Sequence, residues 1–324
     1  MSFDIDSRES SHGKMSRREA ARLLAQGAAG LILTRTALAA EEKHAAGKLT
    51  LLQRAIPSSG ETLPVIGLGT WQAFDVGPSA AERQPLEEVL ALFVKLGGRV
   101  VDSSPMYGRA EQVIGEIAAK LHLHRSLFLA TKVWTTGKEQ GIASMEKSLA
   151  KLQTEKIDLM QVHNLVDART QLATLRDFKQ QGQLRYLGIT HYASSAYSEV
   201  AKLIRSEKLD FVQINYSLLE REAEKDILPL AQERGVAVIV NRPFGGGNLF
   251  ERVRQRPLPD WASEFDCHSW AQFLLKWIVA HPAVTCAIPA TSKARHLEDN
   301  MQGGVGRLPD EKLRQRMVDT VSTL

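Results

Sequence analysis

Residues 99–103 read RVVDS, residues 104–133 continue SPMYGRAEQVIGEIAAKLHLHRSLFLATKV, and the pattern of this stretch decides the fold. RVVDSS is a short apolar run of the kind buried as a strand. RAEQVIGEIAAKL then places Val113, Ile114, Ile117 and Leu121 at helical spacing. LFLATKVW is a second apolar run, rich in strand formers. A strand, a single helix and another strand make one parallel βαβ unit. The same rhythm runs outward in both directions. Upstream lie a strand ending at Leu68 and a helix in PLEEVLALFVKLG. Downstream, helices in 141–152, 168–181, 195–207, 225–235, 269–281 and 294–303 alternate with strands in 157–163, 184–190, 211–216, 236–243 and 284–290. Counting the first strand from near Pro64 gives eight strands and eight helices. Such a series closes into a (β/α)₈ TIM barrel. LTLLQRAIPSSGETLPVIGLG adds an N-terminal β-hairpin around a Ser58-Ser59-Gly60 turn. A doubly wound open sheet is disfavoured, because GLGTWQAF after the first strand lacks the Gly-x-Gly-x-x-Gly phosphate loop.

Barrel enzymes carry their chemistry where strands end and βα loops begin. Those positions hold Gly69, Thr70 and Trp71, then Asp102 and Tyr107, then Lys132 and Trp134, then His163. Next come Thr190 and His191, Gln213, Asn241 and Arg242, and Thr291. Asp102, Tyr107, Lys132 and His163 form a coherent acid–base set. A phenol near pKa 10 is a weak acid, and a neighbouring ammonium is expected to lower that pKa. Asp102 would hold Lys132 and keep it charged. His163 would position a carbonyl oxygen beside Tyr107. No His, Cys or Glu spacing suggests a metal site. A carbonyl polarised in this way needs a hydride, which implies a nicotinamide. Trp71 and Trp134, with Tyr107 and His163, are expected to wall the substrate pocket.

These residues resemble the aldo-keto reductase family over 50–303. The run from Asp102 through Tyr107 and Gly108 to Gly115 is similar to its Asp-x-x-x-x-Tyr-Gly signature, ATKVW to its lysine motif and IDLMQVHN to its histidine strand. The resemblance implies reduction of aldehydes or ketones to alcohols, with Tyr107 as proton donor. It also implies a cofactor site. Gln213 and Thr190 match residues that bind the nicotinamide carboxamide, and His191 stands where an Asn is usual. Asn241 stands where many members stack an aromatic ring. Arg242, Pro243, Phe244 and Gly245 match the pyrophosphate loop. Thr291, Lys293, His296 and Asn300 fall in the segment around the adenosine phosphate. Gly69, Thr70, Trp71 and Asp102 complete the cofactor-binding set. NADP(H) is the expected cofactor, with Lys293 supplying charge to a 2′-phosphate; NAD(H) is the alternative, since many members carry Arg where His296 stands. A cofactor-binding sensor or accessory subunit with little turnover is the other functional reading. A Schiff-base aldolase on Lys132 fares poorly, because Asp102 would keep that lysine charged.

Residues 1–40 read differently from the rest. Ser16-Arg17-Arg18 precedes an Ala/Leu/Gly run and ends in Ala37-Leu38-Ala39, a small-residue cleavage pattern. The arginine pair resembles a twin-arginine (Tat) export signal, which predicts a periplasmic protein of residues 41–324; Met15 is an alternative start. A cytoplasmic protein with an amphipathic first helix is the other reading. The apolar run is too short to span a bilayer, so no stable membrane insertion is expected after cleavage. The whole chain has 44% hydrophobic and 24% charged residues and a net charge of +4, too balanced for a nucleic-acid surface. Two cysteines, Cys267 and Cys286, make no disulfide framework. The expected partner is a small carbonyl substrate, and the expected assembly a monomer or a dimer. About 20 residues follow Gly304, predicting a short C-terminal loop over an open pocket.

Overall fold

The computed structural model describes residues 50–324; the export signal expected in 1–40, and residues 41–49, lie outside the described residues. Strands β1 (Gln53–Ala55) and β2 (Thr62–Pro64) form the expected antiparallel hairpin. Barrel strands follow as β3 (Leu68–Gly69), β4 (Val100–Asp102), β5 (Phe128–Val133), β6 (Ile157–His163), β7 (Leu184–His191), β8 (Phe211–Asn215), β9 (Ala237–Asn241) and β10 (Val284–Ala287). All are parallel and paired in chain order. Parallel bridges from Ile66 to Ala287 and from Gly69 to Ala290 join the first of them to the last. Backbone bonds from Gly67 N to Ala287 O (2.8 Å) and from Gly69 N to Pro289 O (3.1 Å) complete the closure. The (β/α)₈ barrel is therefore as the sequence pattern predicts, except that Pro64 ends the hairpin rather than starting the first barrel strand.

The helices are α1 (Ala80–Lys95), α2 (Ala110–Lys120), α3 (Lys138–Leu152), α4 (Ala168–Gln180), α5 (Tyr197–Ser206), α6 (Ile227–Arg234), α7 (Asn248–Arg252), α8 (Trp270–Val279), α9 (Ala294–Gln302) and α10 (Glu311–Ser322). Helix α1 starts five residues before the expected Pro85. Its start is a capping box: Ser79 Oγ accepts from Glu82 N at 3.4 Å, and the two side chains meet at 2.5 Å. The cap offsets the backbone bond that Pro85 removes inside the helix. The loop after β9 holds the short helix α7 and a 3₁₀ segment, Asp260–Phe265. Helix α10 takes up 12 of the residues that follow Gly304. Buried Arg314 anchors it, donating to the Tyr216 hydroxyl at 2.8 Å and to Glu224 at 3.4 Å while lying 4.9 Å from the Trp277 ring centre.

Side chains alternate across a strand, so one face of each barrel strand points inward. The lower interior is apolar: Val100, Phe128, Ala130, Leu159, Tyr186, Phe211, Ala237, Ile239 and Cys286, with hairpin residues Ile56 and Leu63 filling the same cluster. Phe128, Tyr186 and Phe211 pack with ring centres 5.6 to 6.1 Å apart. Full burial of each such side chain contributes about 1.5–3 kcal/mol. The packed floor leaves only the upper ends of the strands for polar work.

Candidate active site

The site is the same inward face continued upward by two residues. On β5, Phe128 and Ala130 lead to Lys132; on β6, Leu159 leads to Gln161 and His163. On β8, Phe211 leads to Gln213, on β9 Ile239 leads to Asn241, and on β4 Val100 leads to Asp102. Strand register puts Lys132 beside Gln161, His163 beside Thr190 and Thr190 beside Gln213. Period-two alternation thus changes from apolar to polar at one level around the barrel.

Lys132 is buried (1% exposed) and donates to Asp102 Oδ2 at 2.6 Å and to Ser103 O at 2.7 Å. Its Nζ lies 5.0 Å from the centre of the Tyr107 ring. The other Asp102 oxygen accepts from Gln213 Nε2 at 2.8 Å and from Gln161 Nε2 at 3.3 Å. Three donors from three strands therefore fix one carboxylate. Thr70 Oγ1 donates to the Asp102 carbonyl at 2.9 Å. Tyr107 and His163 meet edge to face, ring centres 6.3 Å apart and planes at 88°. Gly108 follows Tyr107 with φ +58°, and a Cβ there would collide with the Asp75 carboxylate. That carboxylate accepts from Arg109 N at 3.0 Å, so the glycine lets the loop close tightly behind the phenol.

Burial works against the charge on Lys132, but Asp102 and Tyr107 together outweigh it and hold its pKa above the ordinary value. Tyr107 departs from the sequence expectation. Burial raises its pKa more than the Lys132 ammonium lowers it, and Asp102 raises it further. The phenol is thus firmly protonated, and the ammonium limits the rise rather than reversing it. Burial, then Lys132 and His191, push the His163 pKa down to about 3, so the imidazole is neutral at ordinary pH.

The aldo/keto reductase family model matches residues 65–316. The chain belongs to the aldo/keto reductase family. Methylglyoxal reductase YeaE of Escherichia coli is 29% identical over 256 residues, covering 76% of this chain and 88% of that protein. An aldo/keto reductase of Klebsiella pneumoniae, solved with NADP and acetate, is 26% identical with a TM-score of 0.65, covering 81% of this chain and 92% of that one. Another Klebsiella pneumoniae aldo-keto reductase structure, in complex with NADPH, is 25% identical with a TM-score of 0.64, covering 85% and 94%.

Further polar groups extend the cluster of Asp102, Tyr107, Lys132 and His163 along the rim. Thr190 Oγ1 donates to Gln213 Oε1 at 3.2 Å, and Asn241 Nδ2 donates to the same oxygen at 3.4 Å. His191 Nδ1 accepts from Ala193 N at 3.1 Å, which leaves Nε2 as its donor. Asn164 Oδ1, Asn241 Oδ1 and Arg242 Nε are buried without a hydrogen-bond partner among the described residues. Buried polar atoms are normally paired, so these three suit the polar groups of a bound nicotinamide dinucleotide. Beyond Pro243 and Phe244, whose ring packs 4.6 Å from Phe250, Gly245, Gly246 and Gly247 all have positive φ. A Cβ on Gly246 would come 3.2 Å from the Arg242 guanidinium, so the glycines keep the loop thin beside that charge. Thr291 and Asn300 are buried at the start and on the inner side of α9, and Thr291 Oγ1 accepts from Lys293 N at 3.1 Å. Lys293 and His296 are exposed there, and Arg295 between them adds a cation that motif matching passed over.

Trp71 (51% exposed) and Trp134 (43%) stand exposed on the rim. Met106, Tyr192 and Phe250 are also exposed, and all five follow the upper ends of barrel strands. Gln161 and Ser104 are contact residues of the site that sequence reasoning missed. Gln161 lies two residues before His163, so strand alternation alone could have found it.

Proposed function

We propose that this protein reduces aldehydes or ketones to alcohols, with NADP(H) as hydride source and Tyr107 as proton donor. The observation that carries this reading is the fixed Asp102–Lys132 pair beneath the Tyr107 ring, with neutral His163 at its edge. When bound, the reduced nicotinamide supplies a hydride to the carbonyl carbon. Tyr107 gives its phenolic proton to the oxygen, which becomes the alcohol. Lys132 stabilises the phenolate left behind, and Asp102 keeps Lys132 charged and in place. His163 orients the oxygen. Gln213, Thr190, His191 and Asn241 would hold the nicotinamide end, with Asn164, Gly69, Thr70 and Trp71 around it. Arg242, Pro243, Phe244 and Gly245 would hold the pyrophosphate, and Thr291, Lys293, His296 and Asn300 the adenosine end.

The reading is tested by scanning small aldehydes, ketones and quinones with NADPH and NADH separately. Carbonyl-dependent oxidation of NADPH, faster than of NADH, is expected. No oxidation of either across the panel would favour an accessory subunit instead. Lys293→Ala and Arg295→Ala are each expected to raise the KM for NADPH about tenfold, roughly 1.4 kcal/mol, and to leave that for NADH unchanged. Equal effects on both cofactors would remove these cations from 2′-phosphate recognition.

Export through the Tat route is also proposed, from Arg17-Arg18 and the run that follows. That route carries folded proteins, so the cofactor could be loaded before transport. No helix among the described residues is long and apolar enough to cross a membrane. Fractionation should place the unaltered protein in the periplasm and an Arg17→Lys/Arg18→Lys variant in the cytoplasm. An unchanged location would end the proposal.

A further inference from the structure

We propose that Ser104 fixes the tautomer of His163, so that the ring presents Nε2–H to the substrate oxygen. The proposal rests on the carbonyl-reduction reading of the site and adds a positioning residue to it. Ser104 lies two residues beyond Asp102, at the exit of β4, and is fully buried. Its Oγ has two hydrogen-bond neighbours among the described residues: the backbone N–H of Met106 at 3.2 Å and Nδ1 of His163 at 3.3 Å.

The proton count decides the arrangement. An amide N–H can only donate, so Oγ accepts from Met106. The hydroxyl hydrogen is left with one acceptor in reach among the described residues, the lone pair on Nδ1. The opposite arrangement, with Nδ1–H donating to Oγ, leaves a buried hydroxyl hydrogen with no acceptor, which folded proteins avoid. A neutral imidazole carries one ring proton, and with Nδ1 accepting it must sit on Nε2.

The surroundings keep the ring in that neutral form. Lys132 from β5 and His191 from the end of β7 face it, as does Tyr107 from the loop after β4. Burial and the Lys132 charge disfavour a second proton. With the other tautomer, a bare Nε2 lone pair would face the lone pairs of a carbonyl oxygen and repel it. Ser104 also holds the second group addressed to that oxygen, because its own carbonyl accepts from Tyr107 N at 3.0 Å. One residue thus ties the proton donor and the orienting imidazole together through separate bonds.

The test is ¹⁵N NMR of the full chain labelled at histidine, at pH 7, with His163 signals assigned by their loss in His163→Gln. The unaltered protein is expected to show Nδ1 unprotonated and Nε2 protonated. Ser104→Ala should shift both signals toward a mixture of tautomers. The same variant should lower kcat about tenfold, as expected for loss of a positioned donor, with KM for NADPH held within about twofold. A protonated Nδ1 in the unaltered protein would overturn the proposal, and so would ring signals that Ser104→Ala leaves unmoved. Both readings are made without turnover. They are therefore distinct from failure of the carbonyl-reduction reading, which would show as no NADPH oxidation by the unaltered protein.

Discussion

Tyr107→Phe is expected to cut kcat for carbonyl reduction by about 10³, within the range that general acid catalysis supplies. The loss should fall on kcat and leave KM for NADPH nearly unchanged, because the phenol is addressed to the substrate oxygen rather than to the cofactor. Removing one hydroxyl leaves the ring to pack against His163, so the fold should be intact. The pH dependence of the unaltered protein gives a second reading. The Tyr107 pKa is raised above its ordinary value by burial, so the acid form persists through neutrality and into alkaline solution. His163 stays neutral down to about pH 3. Reduction should therefore be nearly flat from about pH 5 to about pH 9, with no limb from either group in that window. A Tyr107→Phe variant with near-normal turnover on a small reactive aldehyde would remove the phenol from the proton-donor role.

The flat window shows where a sequence stops being informative. Asp102, Tyr107, Lys132 and His163 are legible because each ends a strand or opens a loop, and their spacing within the motifs is local. The direction of the Tyr107 shift is not. It depends on how much protein surrounds the phenol, and burial there exceeds the effect of a charge that the sequence does show. Gln161 and Ser104 escape for another reason. A neutral amide or hydroxyl inside an apolar run looks like tolerated polarity until its partners, Asp102 and His163, are seen across the barrel. Both of those partners lie 59 residues away. Helix α10 is hidden in the same way, since Arg314 finds Tyr216 at a separation of 98 residues. The start of α1 misleads because Pro85 suits a first helical turn, while the capping box at Ser79 and Glu82 holds the earlier start. The hairpin and the eight-fold rhythm are readable throughout, because alternation and helical spacing are properties of neighbouring residues.

Lys132→Met separates stability from chemistry at the buried pair. The lysine and its partner Asp102 are 1% and 2% exposed. Taking away one member leaves a carboxylate in the barrel interior with only the Gln161 and Gln213 amides to face it. Breaking a buried pair from one side costs about 3–5 kcal/mol, so the melting temperature should fall by roughly 10 °C for a domain of this size. Replacing both residues with apolar ones removes the stranded charge as well. Asp102→Leu/Lys132→Met should thus recover most of the stability, since apolar replacement of a buried pair is often neutral or better. Turnover should not recover: both variants are expected to lose about 10³ in kcat, because the phenolate left by Tyr107 has no ammonium beside it. The pH dependence of stability carries the sign. The folded pKa of Lys132 lies above its ordinary value, so its contribution is complete at neutral pH and is lost only as pH rises through that raised pKa. Thermal melts and steady-state rates on the two variants settle the point. A single variant as stable as the unaltered protein would mean the pair is not held as a charged pair, and a double variant with normal turnover would mean the phenolate does not depend on the Lys132 ammonium.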